Sequence, residues 1–338
     1  MRFCIALLHG VAMKEITIVG GGLAGLRLGI GLRERDVPVT LYEAGHYPRH
    51  RVCGEFISGA GQEFVAKLGV QTRSGTRAAF VSGDRSWRFD LPEPALCVSR
   101  YDLDKALADA FCACGGKLVS GTRAQLTGEG VVHGTGRRLH PVEDGWRWFG
   151  LKAHARGVEL EADLEMHLVP NGYIGVCRLP GDQINVCGLF RKRSGDKERV
   201  TLAGRLGARF SSADWIEDSK VAVSGLCFCP PHTPLPRGRS SENGECHIGD
   251  AHAMIAPLTG NGMSMAFESA EAAVNPLVGY AGGVASWAEA VAEINAMLRR
   301  FRVRLTWGKW LQRAAFHPWL LPLCSQPALR KLLFAATR

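Results

Sequence analysis

The hydrophobic period of the chain changes several times along its length. "EITIV", Glu15 to Val19, is a short β-branched run of the kind that forms a buried parallel strand. Three glycines later, "LAGLRLGIGLRER" places Leu23, Leu26, Ile30 and Leu32 at helical spacings, and "VPVTLYEAG" reads as a second strand ending in Glu43. A helix is predicted from Asp102, with Leu103, Leu107 and Phe111 on one face. From Trp146 the texture becomes that of a sheet. In "VELEADLEMHLV", Val158, Leu160, Ala162, Leu164, Met166 and Leu168 alternate with acidic residues and His167, which predicts one half-buried antiparallel strand. Asn171-Gly172 predicts a hairpin turn. "YIGVCRL" and "INVCGLF", separated by Pro180-Gly181-Asp182, continue the meander. Lys152 and His154 fall on the sheet's first strand, in substrate-facing or structural roles. "CHIGD" reads as a strand, followed by a proline-glycine loop and a helix from about Gly262. After Ser286 the chain is helical, with Ile294, Met297, Leu298, Phe301 and Leu305 as an apolar stripe and Trp307, Trp310, Phe316 and Trp319 as further aromatics.

Composition changes this picture little. With 338 residues, 46% hydrophobic and 22% charged, the chain is long enough for one large or two interleaved domains. The net charge of +9 is uneven, because the tail after Ser286 holds nine Lys and Arg against Glu289 and Glu293. A basic tail with tryptophans suits either packing on the rest of the protein or peripheral contact with a membrane surface. No nucleic-acid partner is expected. Eleven scattered cysteines suit reduced thiols in a cytoplasmic protein. Cys112-Ala-Cys114 and Cys227-Phe-Cys229 lack histidines at a zinc spacing, so no metal site is expected. The apolar run Phe3 to Met13 follows an arginine, as in a signal peptide, but no clear cleavage site follows it. Residues 1–12 are therefore read as an extraneous leader, with Met13 as a start.

The glycines are Gly20, Gly22 and Gly25, in the G-x-G-x-x-G spacing between a strand and a helix. Gly20 permits a tight turn, Gly22 lets a pyrophosphate approach, and Gly25 lets the helix sit close to the strand. The amides of Leu23 and Ala24 open the helix, whose positive end favours phosphate. Glu43, 18 positions past Gly25, can accept two ribose hydroxyls, favouring FAD or NAD over NADP. The alternative is a glycine turn in some other α/β protein.

Three motifs together resemble one superfamily: "GGGLAGL", "SRYDLDKALADA" and "GDAHAMIAPLTGNGM". It is the FAD-dependent group that contains aromatic-ring hydroxylases, geranylgeranyl reductases and flavin halogenases. The resemblance implies an α/β (α+β overall) fold with a discontinuous Rossmann-like FAD-binding domain, 13–75, 95–145 and 240–285. An antiparallel β-sheet substrate domain, 76–94 and 146–239, is inserted into it, and 286–338 form a C-terminal helical segment. It also implies that Asp250 bonds the ribityl or pyrophosphate part of FAD. The loop from Pro257 through Gly260 and Gly262 to Met263 passes the flavin ring, and Arg100 reaches the cofactor rather than the surface. "RVCGEFISG" is shared in outline with the reductases, which makes Arg51 and Cys53 candidates for the flavin environment. Glu55 pairs with Arg51 or orients a substrate, and Cys53 and Glu55 are the candidate catalytic residues. The chain departs from the pattern at Thr135-Gly136, where an Asp-Gly pair is usual; Arg137 and Arg138 follow. "GWRWF" lacks the Ile-Pro of the halogenase tryptophan motif. The implied activity is NAD(P)H-dependent hydroxylation of a small aromatic or polyketide-like substrate through a flavin C4a-hydroperoxide. The alternatives are reduction of an isoprenoid C=C bond and a non-catalytic flavin-binding sensor or partner.

Overall fold

Two sheets organise the chain. The computed structural model describes residues 12–136, 145–193, 195–196, 199–224 and 244–315. The first sheet is parallel. Its centre is the expected βαβ unit: β1 (Ile16–Val19), α1 (Leu23–Arg33) and β2 (Val39–Glu43), with β1 and β2 in register from Ile16 opposite Val39 to Val19 opposite Tyr42. The described strands run in the order β13-β7-β1-β2-β6, where β6 is Lys117–Ser120, β7 Val131–His133 and β13 Cys246–His247. Ile16, Ile18, Val39, Leu41 and Val132 point to one face. There they meet α1, α2 (Gln62–Lys67), α3 (Arg100–Ala113) and α5 (Gly262–Ala281) in a core that includes Leu26, Val65, Phe111 and Leu277. Side chains of this size, fully buried, contribute roughly 1.5–3 kcal/mol each.

The second sheet has eight described strands, ordered β12-β8-β11-β10-β9-β4-β5-β3. Its strands come from two separate stretches of sequence. Phe56–Ile57, Arg73–Ser82 and Arg85–Cys97 are β3, β4 and β5. Trp146–Arg156, Leu164–Val169, Gly172–Arg178, Ile184–Arg193 and Asp214–Ser224 are β8 to β12. The pairing is antiparallel except between β4 and β9, where the two stretches join. One face carries Ala153, Ala155, Ile174, Val176, Ile184 and Val186, covered by Leu202 of α4 (Leu202–Leu206) and by Phe210. The other face carries Lys152, His154, Asn185, Cys187 and Tyr173, because Lys152 lies opposite Cys187 and His154 opposite Asn185. That face turns toward the parallel sheet: Leu258 packs beside Tyr173 and Leu189, and the Asn185 amide donates to the Cys53 carbonyl at 2.9 Å.

Two local expectations are corrected. The alternation from Val158 to Leu168 is a strand only from Leu164. Upstream, side chains replace ladder bonds: Asp163 accepts from the amides of Thr76 and Arg77, and Glu165 from those of Glu161 and Ala162. The alternation also places Glu165 and His167 in solvent, yet both are buried. They bond each other at 2.8 Å beneath Arg209, which reaches Glu165 at 2.9 Å. The hairpin turns at Pro170-Asn171 rather than Asn171-Gly172, since Gly172 already pairs with Val169.

After Ser286, whose side chain forms a capping box with Glu289, α6 (Trp287–Leu298) and α7 (Phe301–Ala315) follow. Ile294, Leu298, Phe301 and Leu305 are buried as the stripe predicts, with Met297 half-buried. No helix among the described residues is long and apolar enough to cross a membrane. Residues 1–11, Arg137, Arg138, Cys227, Cys229, Phe316 and Trp319 lie outside the described residues.

Candidate functional site

The glycine loop is built by close approach. Gly20 has φ +108°, and a Cβ there would lie 2.4 Å from the Gly134 carbonyl oxygen. A Cβ on Gly25 would lie 2.0 Å from the Gly20 oxygen, so only glycine lets α1 start this close to β1. At Gly22 the result is opposite: a Cβ would meet nothing within 4 Å. Gly22 is the N-cap of α1 and supplies no side-chain cap, leaving the first-turn amides of the helix facing that space. Leu23 and Ala24 are buried behind them.

Glu43 stands at the end of β2, buried beside this loop. Its Oε2 accepts from Gly21 N at 2.8 Å, and its Oε1 accepts from Gly45 N at 2.9 Å and pairs with Arg49 at 2.6 Å. Burial pushes its carboxyl pKa up, but the Gly45 bond and the Arg49 and Arg51 guanidiniums outweigh that and hold it below the usual range. Arg51 lies between two carboxylates. Its Nε bonds Asp104 at 3.0 Å, and its buried Nη2 lies 3.6 Å from Glu43 without a hydrogen bond.

Asp104, which the sequence did not single out, is fully buried and anchors both arginines. Arg100, the first residue of α3, grips it through two bonds of 2.7 and 2.9 Å. Only 8% of Arg100 is exposed, which excludes the surface-arginine alternative. Burial pulls its pKa down, yet Asp104 and Cys53 raise it overall, so it stays charged.

The late loop is fastened to "EFIS". Gly249-Asp250 opens a 3-10 turn, with the Gly249 amide donating to Ser269 at 2.9 Å. Pro257–Thr259 form a second such turn, ended by Gly260 at φ +68°. A Cβ on Gly260 would enter the Phe56 ring, at 2.2 Å. The Ser58 hydroxyl donates to the buried Asn261 at 3.0 Å, and Ser264 donates to the Ser58 carbonyl at 2.7 Å. Gly262 and Met263 then begin α5, also without a side-chain cap. The Met263 side chain is in the core, so only its backbone is available to a ligand.

A third group joins the two sheets. Glu55 is fully buried, and its φ of +59° is a conformation few non-glycine residues adopt. Its Oε1 accepts from the Arg100 amide at 2.9 Å and lies 3.4 Å from Lys152 Nζ; its Oε2 meets His154 Nε2 at 2.6 Å. Lys152, also buried, reaches His50 Nδ1 at 2.9 Å. The His50 ring stacks on Tyr101 and meets His154 edge-on. Glu55 thus pairs with Lys152 and His154, not with Arg51. Burial pushes the Glu55 pKa up, but the bond from His154 and the charge of Lys152 hold it below its usual value. Burial, with Lys152 and His154 beside it, pushes His50 down to about 4, so near neutrality it accepts a bond from Lys152. Burial also lowers the Lys152 pKa, against the pull of Glu55. A buried amine with a lowered pKa, bonded to a neutral imidazole, can take up and pass on a proton.

Beside this clasp, on the same face of the sheet, the Tyr173 hydroxyl and Asn185 Oδ1 are buried without hydrogen-bond partners. Gly175, two residues after Tyr173 on β10 and opposite Cys187 of β11, leaves room on this face, since a Cβ there would meet nothing closer than 3.8 Å. Buried polar atoms left unpaired are costly, so these two leave hydrogen-bonding positions for a ligand or an ordered water.

Solved structures share this fold. The flavin-dependent brominase Bmp2 superposes with a TM-score of 0.73 at 15% identity, covering 96% of this chain and 93% of its own. The chain is similar in fold to this flavin-dependent enzyme. A flavoprotein/dehydrogenase from Cytophaga hutchinsonii gives a TM-score of 0.66 at 15% identity, over 90% of this chain and 86% of its own. PqsL of P. aeruginosa in complex with 2-aminobenzoylacetate gives 0.66 at 14% identity, over 90% and 97%. No family model matches the sequence, and no curated protein matches it. The fold implied by the three motifs thus extends over most of the chain.

Proposed function

We propose that this protein is an FAD-dependent monooxygenase that draws electrons from NAD(P)H and hydroxylates a small aromatic or polyketide-like substrate. The observation that carries the cofactor is the open space at Gly22, in front of the uncapped start of α1, with Glu43 at one side. The residues fit FAD. The amides of Gly22, Leu23 and Ala24 would hold the pyrophosphate. Glu43 and Arg49 would bind the adenosine, and Arg51, Arg100 and Asp250 would line the path to the flavin. The uncapped start of α5, at Gly262 and Met263, would lie at the flavin ring, where its dipole favours negative charge. Bound FAD would supply electron transfer and oxygen activation. The chain supplies orientation, exclusion of water and proton handling. Tyr173 and Asn185 would orient the substrate, and Lys152 would exchange a proton with it. That proton would pass to His50 Nδ1, while His50 Nε2 releases one outward. Glu55 and His154 hold Lys152 in place. Cys53, whose carbonyl bonds Asn185, is a spacer in this reading.

The experiment is anaerobic reduction of the FAD-loaded protein by NADH or NADPH, then mixing with 18O2 and a panel of phenols. Incorporation of one labelled oxygen into product supports the proposal. Anaerobic consumption of an isoprenoid alkene would instead favour a reductase. No reduction by either nucleotide, with turnover on pre-reduced FAD, would assign the reductant to a separate protein; this has support from Thr135-Gly136 in place of Asp-Gly. No turnover under any arm would leave a flavin-holding protein.

A further inference from the structure

The helix α7 has two unlike sides. Its inner side carries Phe301 and Leu305 into the core, and Gly308 sits against Ile255, Ala256 and Thr259, behind the turn that begins at Pro257. Arg304 and Arg300 tie it to Glu268 of α5 at 2.6 and 3.7 Å. The outer side carries Val303, Trp307 and Trp310, which are 61, 41 and 63% exposed. Spacings of four and three residues place them on one stripe, opposite Phe301 and Leu305. They make up half of the six large hydrophobic side chains exposed among the described residues, gathered within a few turns of one helix. Exposed Arg302 is on the same helix, and exposed Arg299 stands in the turn just before it. From Arg299 to Arg338 the sequence holds nine Lys and Arg and no Asp or Glu, as much positive charge as the net +9 of the whole chain.

We propose that this outer face of α7 docks on an anionic lipid bilayer, with the helix lying in the plane of the interface. Tryptophan is suited to the headgroup level, where one edge is apolar and the other wet, and the arginines beside it meet anionic headgroups. Charge decides against a second copy of the chain. A two-fold contact through this stripe would set one set of arginines against the other, with no acidic residue nearby on the helix to answer them. A bilayer of acidic lipid supplies what the face lacks.

The test is co-sedimentation of the full chain with vesicles of phosphatidylcholine alone or with about one-third phosphatidylglycerol. Binding is expected to the anionic vesicles and not to the neutral ones, and to weaken with salt. Trp307→Ala/Trp310→Ala should reduce binding about tenfold, and Arg302→Glu at least about fivefold. All three side chains are exposed, so circular dichroism and thermal unfolding should match the native chain. Absence of binding to anionic vesicles would overturn the proposal, as would binding that the double variant leaves unchanged. Self-association or binding to a soluble protein that Trp310→Glu abolishes, with no vesicle binding, would assign the face to that contact instead. The readout needs no cofactor, so it stands or falls apart from the enzymatic proposal.

Discussion

The glycine loop and the Glu55 clasp solve opposite problems with opposite materials. The loop is backbone: Gly20 and Gly25 let main chain approach main chain, and Gly22 leaves a space where helix amides are unanswered. The clasp is side chain: a buried carboxylate, a buried lysine and two histidines that answer one another across two segments about a hundred residues apart. In the loop, unmet bonding capacity awaits a ligand. In the clasp, almost all of it is used internally, which costs desolvation and returns a fixed protonation pattern. Substitutions in the loop should therefore separate folding from cofactor binding. Those in the clasp should couple folding to pH.

The largest effect is expected at Gly25→Val. Its side chain would collide with the Gly20 carbonyl, and we expect a loss of at least about 3 kcal/mol in urea unfolding, or no folded protein at all. Glu55→Leu comes next. It leaves Lys152 and the Arg100 amide without their buried partner, at about 3–5 kcal/mol. Gly22→Val sharpens the contrast, since Gly22 has φ −83° and ψ −171°, extended backbone that valine adopts readily. The unliganded variant should melt with the native chain, yet bind FAD at least ~100-fold more weakly, because the new methyls take the pyrophosphate's place.

The pH dependence follows in size. The folded pKa of His50 is lowered to about 4, so between the ordinary histidine value and about 4 the unfolded chain binds more protons. Glu55, also lowered, acts in the same direction as pH falls through its folded value. Thermal stability should thus fall on acidification from neutrality toward pH 4, and His50→Gln should flatten that fall. The smallest effect is expected at Arg49→Ala. It frees Glu43 Oε1 for ribose while removing a cation, and should change FAD affinity by less than about tenfold with little change in stability. A large loss of affinity there would make Arg49 the main adenosine contact.

The same contrast explains what the sequence disclosed. The loop lies within one continuous βαβ segment, where spacing alone fixes geometry, and the late Gly-Asp loop likewise reads from local residues. The clasp does not. The sequence offered Glu55 only Arg51 or a substrate, because Lys152 and His154 are about a hundred residues away, and only the register of β8 brings them over the Cys-Gly-Glu turn. Asp104 was hidden as an ordinary polar position in a helix. Its spacing of four from Arg100 was the available signal, but burial turned a surface-type pair into the anchor of two arginines. The strand forecast from Val158 failed for a related reason: Asp163 and Glu165 bond backbone amides, which alternation cannot anticipate. On α7 the sequence marked the stripe that became buried and named Trp307 and Trp310, but their alignment with Val303 on the outer side emerged only once the helix had docked.

Titration of the purified chain with FAD, followed by absorbance and flavin fluorescence, tests whether one FAD binds against the amides at Gly22. Saturation at one FAD per chain is expected for the native protein, with uptake at least ~100-fold weaker in a Gly22→Val variant that is equally folded. A native chain that is colourless as isolated and takes up no FAD would contradict it, as would equal uptake by the two.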